Sequence, residues 1–109
     1  MKRFSPLFVL LALVSAVAFA GDMPELTLRI RNHQFIPAQM DVPANTKFKL
    51  IVVNEDPTPE EFESHELNRE KVVTGNHQII VYLGPLKPGK YGYFGDFNPQ
   101  TAQGILIAR

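Results

Sequence analysis

The stretch Leu86-Lys87-Pro88-Gly89-Lys90-Tyr91-Gly92-Tyr93-Phe94-Gly95 decides the fold class of this 109-residue chain. Leu86–Lys90 is a turn built on Pro-Gly, in which proline presets φ and glycine tolerates positive φ. Tyr91–Phe94 then opens a strand rich in aromatics, a composition that suits a pleated, half-buried surface. The same alternation of turn and strand repeats in both directions. Downstream, Gly104–Ala108 reads as a last strand. Upstream, Gln78–Leu83 is an apolar, β-branched strand that follows a turn at Thr74-Gly75-Asn76. Lys47–Val53 places Phe48, Leu50 and Val52 on one face, and Leu26–Arg31 alternates apolar with polar residues. Glu61–Ser64 and Lys71–Val73 are two further short strands. Phe35-Ile36-Pro37 and Met40-Asp41-Val42 suggest a short edge strand, because Pro37 and Pro43 are excluded from a central one. A turn is expected at Asn32–Gln34 and a polar loop at Asn54–Pro59. Glu66 and Glu70 are i, i+4 neighbours and suggest a helical turn near Ser64–Arg69. The chain thus reads as all-β, with about eight short strands in an antiparallel sandwich or small barrel. Tyr91, Tyr93, Phe94 and Phe97 are expected to pack its interior, with Met40.

Composition narrows the function classes. Apolar residues make up 45% and charged residues 20%, and 11 basic residues balance 11 acidic ones. A basic footprint for nucleic acid is therefore missing, and so is the charge-rich profile of a disordered chain. Cysteine is absent from the sequence. That excludes disulfides, thiolate metal sites, a cysteine nucleophile and a lipid-modified cysteine. Neither a G-x-S-x-G elbow nor a glycine-rich phosphate loop occurs.

Met1–Ala20 has the tripartite form of a secretory signal: Lys2 and Arg3, an apolar run, and Ala18-Phe19-Ala20 before Gly21. A transmembrane anchor would need roughly 20 uninterrupted apolar residues, and Ser5, Pro6 and Ser15 break this run. The expectation is a cleaved signal over 1–20 and one exported domain over 21–109, periplasmic or secreted, with no membrane anchor after cleavage. An exported domain of this size without disulfides depends on one well-packed core, a bound metal or a partner.

Seven of the 11 acids fall within sixteen residues: Glu55, Asp56, Glu60, Glu61, Glu63, Glu66 and Glu70. Carboxylates are hard donors for iron, manganese, magnesium or calcium, and with imidazole for iron or Cu(II). On a strand, Glu61 and Glu63 share a face, where their like charges repel and a nearby cation relieves them. Arg69 and Lys71 would relieve them equally well as salt bridges, which leaves a solvated acidic face as the alternative. Asp96, in the last loop, is placed to meet Glu61 and Glu63, or else serves as a turn former. His65 directly follows the acidic motif and adds an imidazole. His33 and His77 read as turn residues.

Three segments together resemble the cupredoxin-like family. They are Phe35-x-Pro37 with Val42-Pro43-Ala44-Asn45, Leu86-x-Pro88-Gly89-x-Tyr91-x-Tyr93, and Gly104-Ile105-Leu106-Ile107. The resemblance implies a Greek-key antiparallel β-sandwich. It also carries a departure. A blue-copper site takes a cysteine thiolate, two histidines and usually a methionine, and Gly95 stands where that cysteine would be. Between Gly95 and Gly104 there is neither histidine nor methionine. Type-1 copper electron transfer is excluded.

A narrower resemblance lies in Glu61-Phe62-Glu63-Ser64-x-Glu66-Leu67-x-Arg69-Glu70-Lys71-Val72 and in Phe94-Gly95-Asp96-Phe97-Asn98-Pro99-x-Thr101-Ala102-Gln103-Gly104. Both are similar to segments of EfeO-type cupredoxin domains, the cupredoxin component of bacterial ferrous-iron uptake systems. Members often carry histidine where this chain has Asn98. The resemblance implies binding of iron or copper, at most a ferroxidase-like activity, and two partners: an Ftr-type iron permease and a second periplasmic iron-binding protein. Glu61, Glu63 and Asp96 are the expected ligands, with Glu66, Glu70 and His65 behind them. The competing expectation is a metal-free module that offers its sheet face or its acidic end to another protein.

Overall fold

The computed structural model describes residues 23–109, and the expected signal segment 1–20 lies outside them. Nine strands form in these residues: β1 (Glu25–Arg31), β2 (Gln34–Ile36), β3 (Gln39–Val42), β4 (Phe48–Asn54), β5 (Glu60–Ser64), β6 (Arg69–Val73), β7 (Gln78–Leu83), β8 (Gly89–Gly95) and β9 (Gln103–Ala108). They build a four-stranded sheet in the order β2-β1-β4-β7 and a five-stranded sheet in the order β3-β9-β8-β5-β6. The pairs β1–β4 and β3–β9 are parallel and the other pairings are antiparallel.

The ninth strand comes from the segment expected to be one edge strand. Residues 35–42 divide at Pro37, which has no N–H to continue a ladder. β2 pairs with β1 in one sheet, and β3 crosses over to pair with β9 in the other. Both pieces end up at sheet edges, where proline is tolerated.

Strand alternation fills the interior. Leu28 and Ile30 of β1, and Phe48, Leu50 and Val52 of β4, face Phe62, Tyr93 and Leu106 of the opposite sheet, all buried. Tyr93 sits between two phenylalanines, with ring centroids 5.0 Å from Phe35, edge to face, and 5.3 Å from Phe62. Burying side chains of this size contributes roughly 1.5–3 kcal/mol each. Gly104 pairs with Tyr93, and a Cβ there would run into the tyrosine ring and hydroxyl, so the close approach requires glycine.

Two expectations are corrected. Ser64–Arg69 is a hairpin turn, not a helical one. Ser64 and Arg69 are themselves a cross-strand pair, so the chain must reverse within the four residues between them. Asn68 makes the reversal at φ 55°, and its N–H donates to the His65 carbonyl. The Ser64 hydroxyl accepts from Leu67 N and donates to the Gly92 carbonyl. Phe94 and Phe97 are not interior residues. Phe94 alternates with Tyr93 and lies on the outer face under the His65 ring, and Phe97 is half exposed in the loop beyond β8.

Candidate functional site: a carboxylate cluster on the outer sheet face

Three loops meet at one end of the sandwich: 32–33 after β1, 55–59 after β4, and 96–102 after β8. Side chains tie them together. The Asp56 carboxylate accepts the N–H groups of Asn32 and His33, at 2.8 and 2.9 Å, where both residues hold positive φ. Buried Asn54 donates to the Thr58 carbonyl and accepts from Asp56 N. The Thr101 hydroxyl donates to the His33 carbonyl at 2.6 Å.

The fold separates the seven clustered acids by the partners they find. Glu55 pairs with Arg29 and Arg31, both at 2.6 Å, and these hydrogen bonds hold its carboxyl below the usual range. Asp56 caps the β1–β2 turn. Glu60 points inward beside Phe62 and Ser64, is 2% exposed, and accepts from Phe97 N, Asn98 Nδ2 and Glu61 N. Glu66 accepts the Gly92 N–H at 3.0 Å, extending the β5–β8 contact beyond the last paired residues.

Glu61, Glu63 and Glu70 remain. One carboxylate oxygen from each lies within 4.8 Å of the others. Their placement follows from strand geometry. Glu61 and Glu63 are two apart on β5 and project from the outer face, and Glu70 stands directly across from Glu63 on β6. Like charges directly opposite one another destabilise a ladder. Arg69 and Lys71 alternate with Glu70 and so belong to the other face of β6. The Arg69 guanidinium donates to the carbonyls of Leu67, Asn68 and Tyr82. Among the described residues no lysine or arginine forms an ion pair with the three glutamates.

Asp96 joins from the β8–β9 loop. Its N–H donates to the Glu61 carbonyl at 3.0 Å, which brings its carboxyl beside that of Glu61. Partial removal from water pushes Glu61 from the usual 4.5 up to about 7. The neighbouring Asp96 carboxyl and the charges of Glu70 and Glu63 act in the same direction. Near neutrality a proton is therefore held in this crowded group of oxygens, which is what an unneutralised carboxylate cluster does.

Of the six residues expected from sequence, three converge, Glu61, Glu63 and Glu70, and Asp96 lies beside Glu61. His65 is placed in the turn after β5, its ring centroid 5.5 Å from that of Phe94, and Glu66 is engaged with Gly92. Sequence reasoning missed the role of Glu60. The signal was present, because period-2 alternation puts Glu60 on the inward side with Phe62.

A groove of about 720 Å³ runs beside the cluster along the same sheet face, between His65, Glu66, Phe94, Pro99, Gln103 and Ile105. No helix among the described residues is long and apolar enough to cross a membrane.

Comparison with known proteins supplies relatives. Residues 4–108 match the family described as "Cupredoxin-like domain". The protein RP394 of Rickettsia prowazekii (strain Madrid E) is 52% identical over 83 residues, which cover 76% of this chain and 66% of that protein, just under two thirds of its length. Among solved structures, auracyanin A, a "blue" copper protein of Chloroflexus aurantiacus, superposes with a TM-score of 0.69 at 12% identity, covering 81% of this chain and all of that one. The metal-binding domain of the Streptococcus pneumoniae D39 Cu(I)-exporting ATPase CopA, solved with Cu(I), gives a TM-score of 0.69 at 9% identity, covering 78% and 84%. Amicyanin of Paracoccus versutus gives 0.62 at 16% identity, covering 86% and 88%. Identities this low establish a shared fold.

Proposed function

The chain belongs to the cupredoxin-like domain family, and from that premise we propose that it is an exported carrier that binds a hard divalent or trivalent cation through Glu61, Glu63, Glu70 and Asp96. Its cargo is iron in a ferrous-iron uptake system. The observation that carries this reading is three carboxylates within 4.8 Å of one another with no lysine or arginine among the described residues forming an ion pair with them.

The residues do not fit the copper centre of the blue-copper relatives. The chain has no cysteine, and Gly95 occupies that position. A Cβ on Gly95 would lie 2.6 Å from Glu60 Cδ and 2.7 Å from Ala102 Cβ, so the space beside it is filled. The donor set on the outer face is all oxygen, which selects hard ions over Cu(I). Four carboxyl groups around one ion favour a higher charge, so Fe(III) is held more tightly than Fe(II). The exposed position suits hand-over. The iron permease and second periplasmic iron-binding protein implied by the EfeO-type resemblance are the proposed neighbours in that transfer. Capture and delivery require no turnover.

Anaerobic equilibrium dialysis against a mixture of Fe(II), Mn(II), Zn(II) and Cu(II), followed by metal analysis, tests the proposal. Wild-type protein is expected to retain about one equivalent of metal in total, with Cu(II) leading when all four ions compete, and about one equivalent of iron when Fe(II) is offered alone. The Glu61→Ala/Glu63→Ala variant should lose it while keeping the same strand-rich circular dichroism. Equal retention by both proteins would refute the site. The groove beside the cluster favours one second reading, a metal-free module that binds another protein along this sheet face. That reading predicts no retention of any of the four ions by wild type.

A further inference from the structure

Glu60 is a buried acid with no part in cation binding, yet its carboxylate accepts three hydrogen bonds. It comes from the first residue of β5 and reaches the β8–β9 loop 37 residues away. Oε1 accepts from Phe97 N at 2.8 Å and from Glu61 N at 3.0 Å. Oε2 accepts from Asn98 Nδ2 at 2.8 Å. The carboxyl group lies against Gly95, whose backbone closes the loop through Gly95 N to Ala102 O at 2.8 Å and Asn98 N to Gly95 O at 3.0 Å. A side chain at residue 95 would collide with it, at 2.6 Å from Cδ and 2.7 Å from Oε2.

We infer that Glu60 is the positioning residue of the β8–β9 loop: its carboxylate fills the interior space beside residue 95 and links the loop to β5. Three N–H donors converge on one carboxylate. Hydrogen bonds of this charge-assisted kind are about twice as strong as neutral ones, and a buried carboxylate is tolerated only when they are complete. The lock also sets the outer face. Asp96 lies between Gly95, which packs against Glu60, and Phe97, whose N–H Glu60 accepts, so its carboxyl is delivered to Glu61 by a loop that needs no metal. The chain has thus closed the interior position and left its free carboxylates on the opposite face of the same strand. The inference stands whether or not the outer cluster binds a cation.

Amide hydrogen exchange at Phe97 tests it, with metal affinity playing no part in the readout. In wild-type protein Phe97 N–H is expected to be protected, and equally so before and after exhaustive treatment with a chelator. Asn98→Asp sets a second carboxylate against Glu60 and should speed exchange at Phe97 by about tenfold or more, since a lost link lowers the local opening free energy. The double variant Glu60→Gln/Asn98→Asp restores a donor opposite an acceptor and should return exchange to within about threefold of wild type. Full additivity of the two substitutions would overturn the proposal, because it would show that the pair does not act as one link. A loss of Phe97 protection on chelation would overturn it too, by showing that a metal organises the loop. If Asn98→Asp does not fold, rescue of folding by Glu60→Gln supports the link, and failure of rescue refutes it.

Discussion

Cation affinity at the outer cluster should depend steeply on pH in a range where ordinary carboxylates do not titrate. A cation bound to Glu61 competes with the proton held there, and Glu61 ionises at about 7. Its ionised fraction is then about 0.9 at pH ~8 and about 0.03 at pH ~5.5, so apparent affinity should fall about 30-fold between them. A glutamate at the ordinary 4.5 would lose only about a tenth of its affinity over the same interval. Proton release gives a second, independent measure: about 0.9 proton per cation at pH ~6 and about 0.1 at pH ~8. Mn(II) is a suitable hard probe, with free ion counted by electron paramagnetic resonance and protons by calorimetry in buffers of different ionisation enthalpy. Glu61→Gln should weaken binding and flatten the pH profile together. A change of less than about threefold in wild type between the two pH values would refute the coupling of Glu61 to the bound ion.

Three further outcomes are expected. Without metal, Glu61 binds its proton more tightly in the folded chain than in the unfolded one. Its contribution to stability is therefore largest below pH 4.5, falls as pH rises to about 7, and is level above. Subtracting the melting profile of Glu61→Gln from that of wild type should isolate this decline, and a difference that rises with pH would contradict the sign. Tyr93 is 3% exposed and its hydroxyl meets no hydrogen-bond partner among the described residues, while burial pushes its ionisation above the ordinary tyrosine range. Tyr93→Phe should accordingly stabilise the fold by about 1 kcal/mol in urea denaturation, and a loss of that size would show that the hydroxyl is satisfied. Phe62, fully buried against Phe35 and Tyr93, should cost about 3–5 kcal/mol on replacement by alanine, and a loss below about 1.5 would mean that the interior collapses around the gap.

Strand identity was readable along most of the chain because period-2 alternation is local. Phe48, Leu50 and Val52 announce β4 by themselves, and the same rule places Glu61 and Glu63 on one face. It places Glu60 on the other face as well, but a glutamate in a charge run suggests solvent, and only the burial of its neighbours Phe62 and Ser64 reveals where it points. The helical turn suggested by Glu66 and Glu70 gave way because pairing of Ser64 with Arg69 outweighs a marginal i, i+4 contact.

The sequence by itself determined the all-β class, the absence of any thiolate metal site, and the concentration of acids between residues 55 and 70. These follow from composition and short-range periodicity, which require no knowledge of what lies across the sheet. Tertiary structure decided which acids remain unpaired. Arg29 and Arg31 neutralise Glu55 only because β1 lies beside β4, and Glu70 faces Glu63 only through the β5–β6 register. Asp96 meets Glu61, and Glu60 holds Phe97 and Asn98, only because β8 pairs with β5 across more than thirty residues of chain. Carboxyl groups of one chemical kind are assigned their partners by long-range pairing, and such pairing leaves no trace in local sequence.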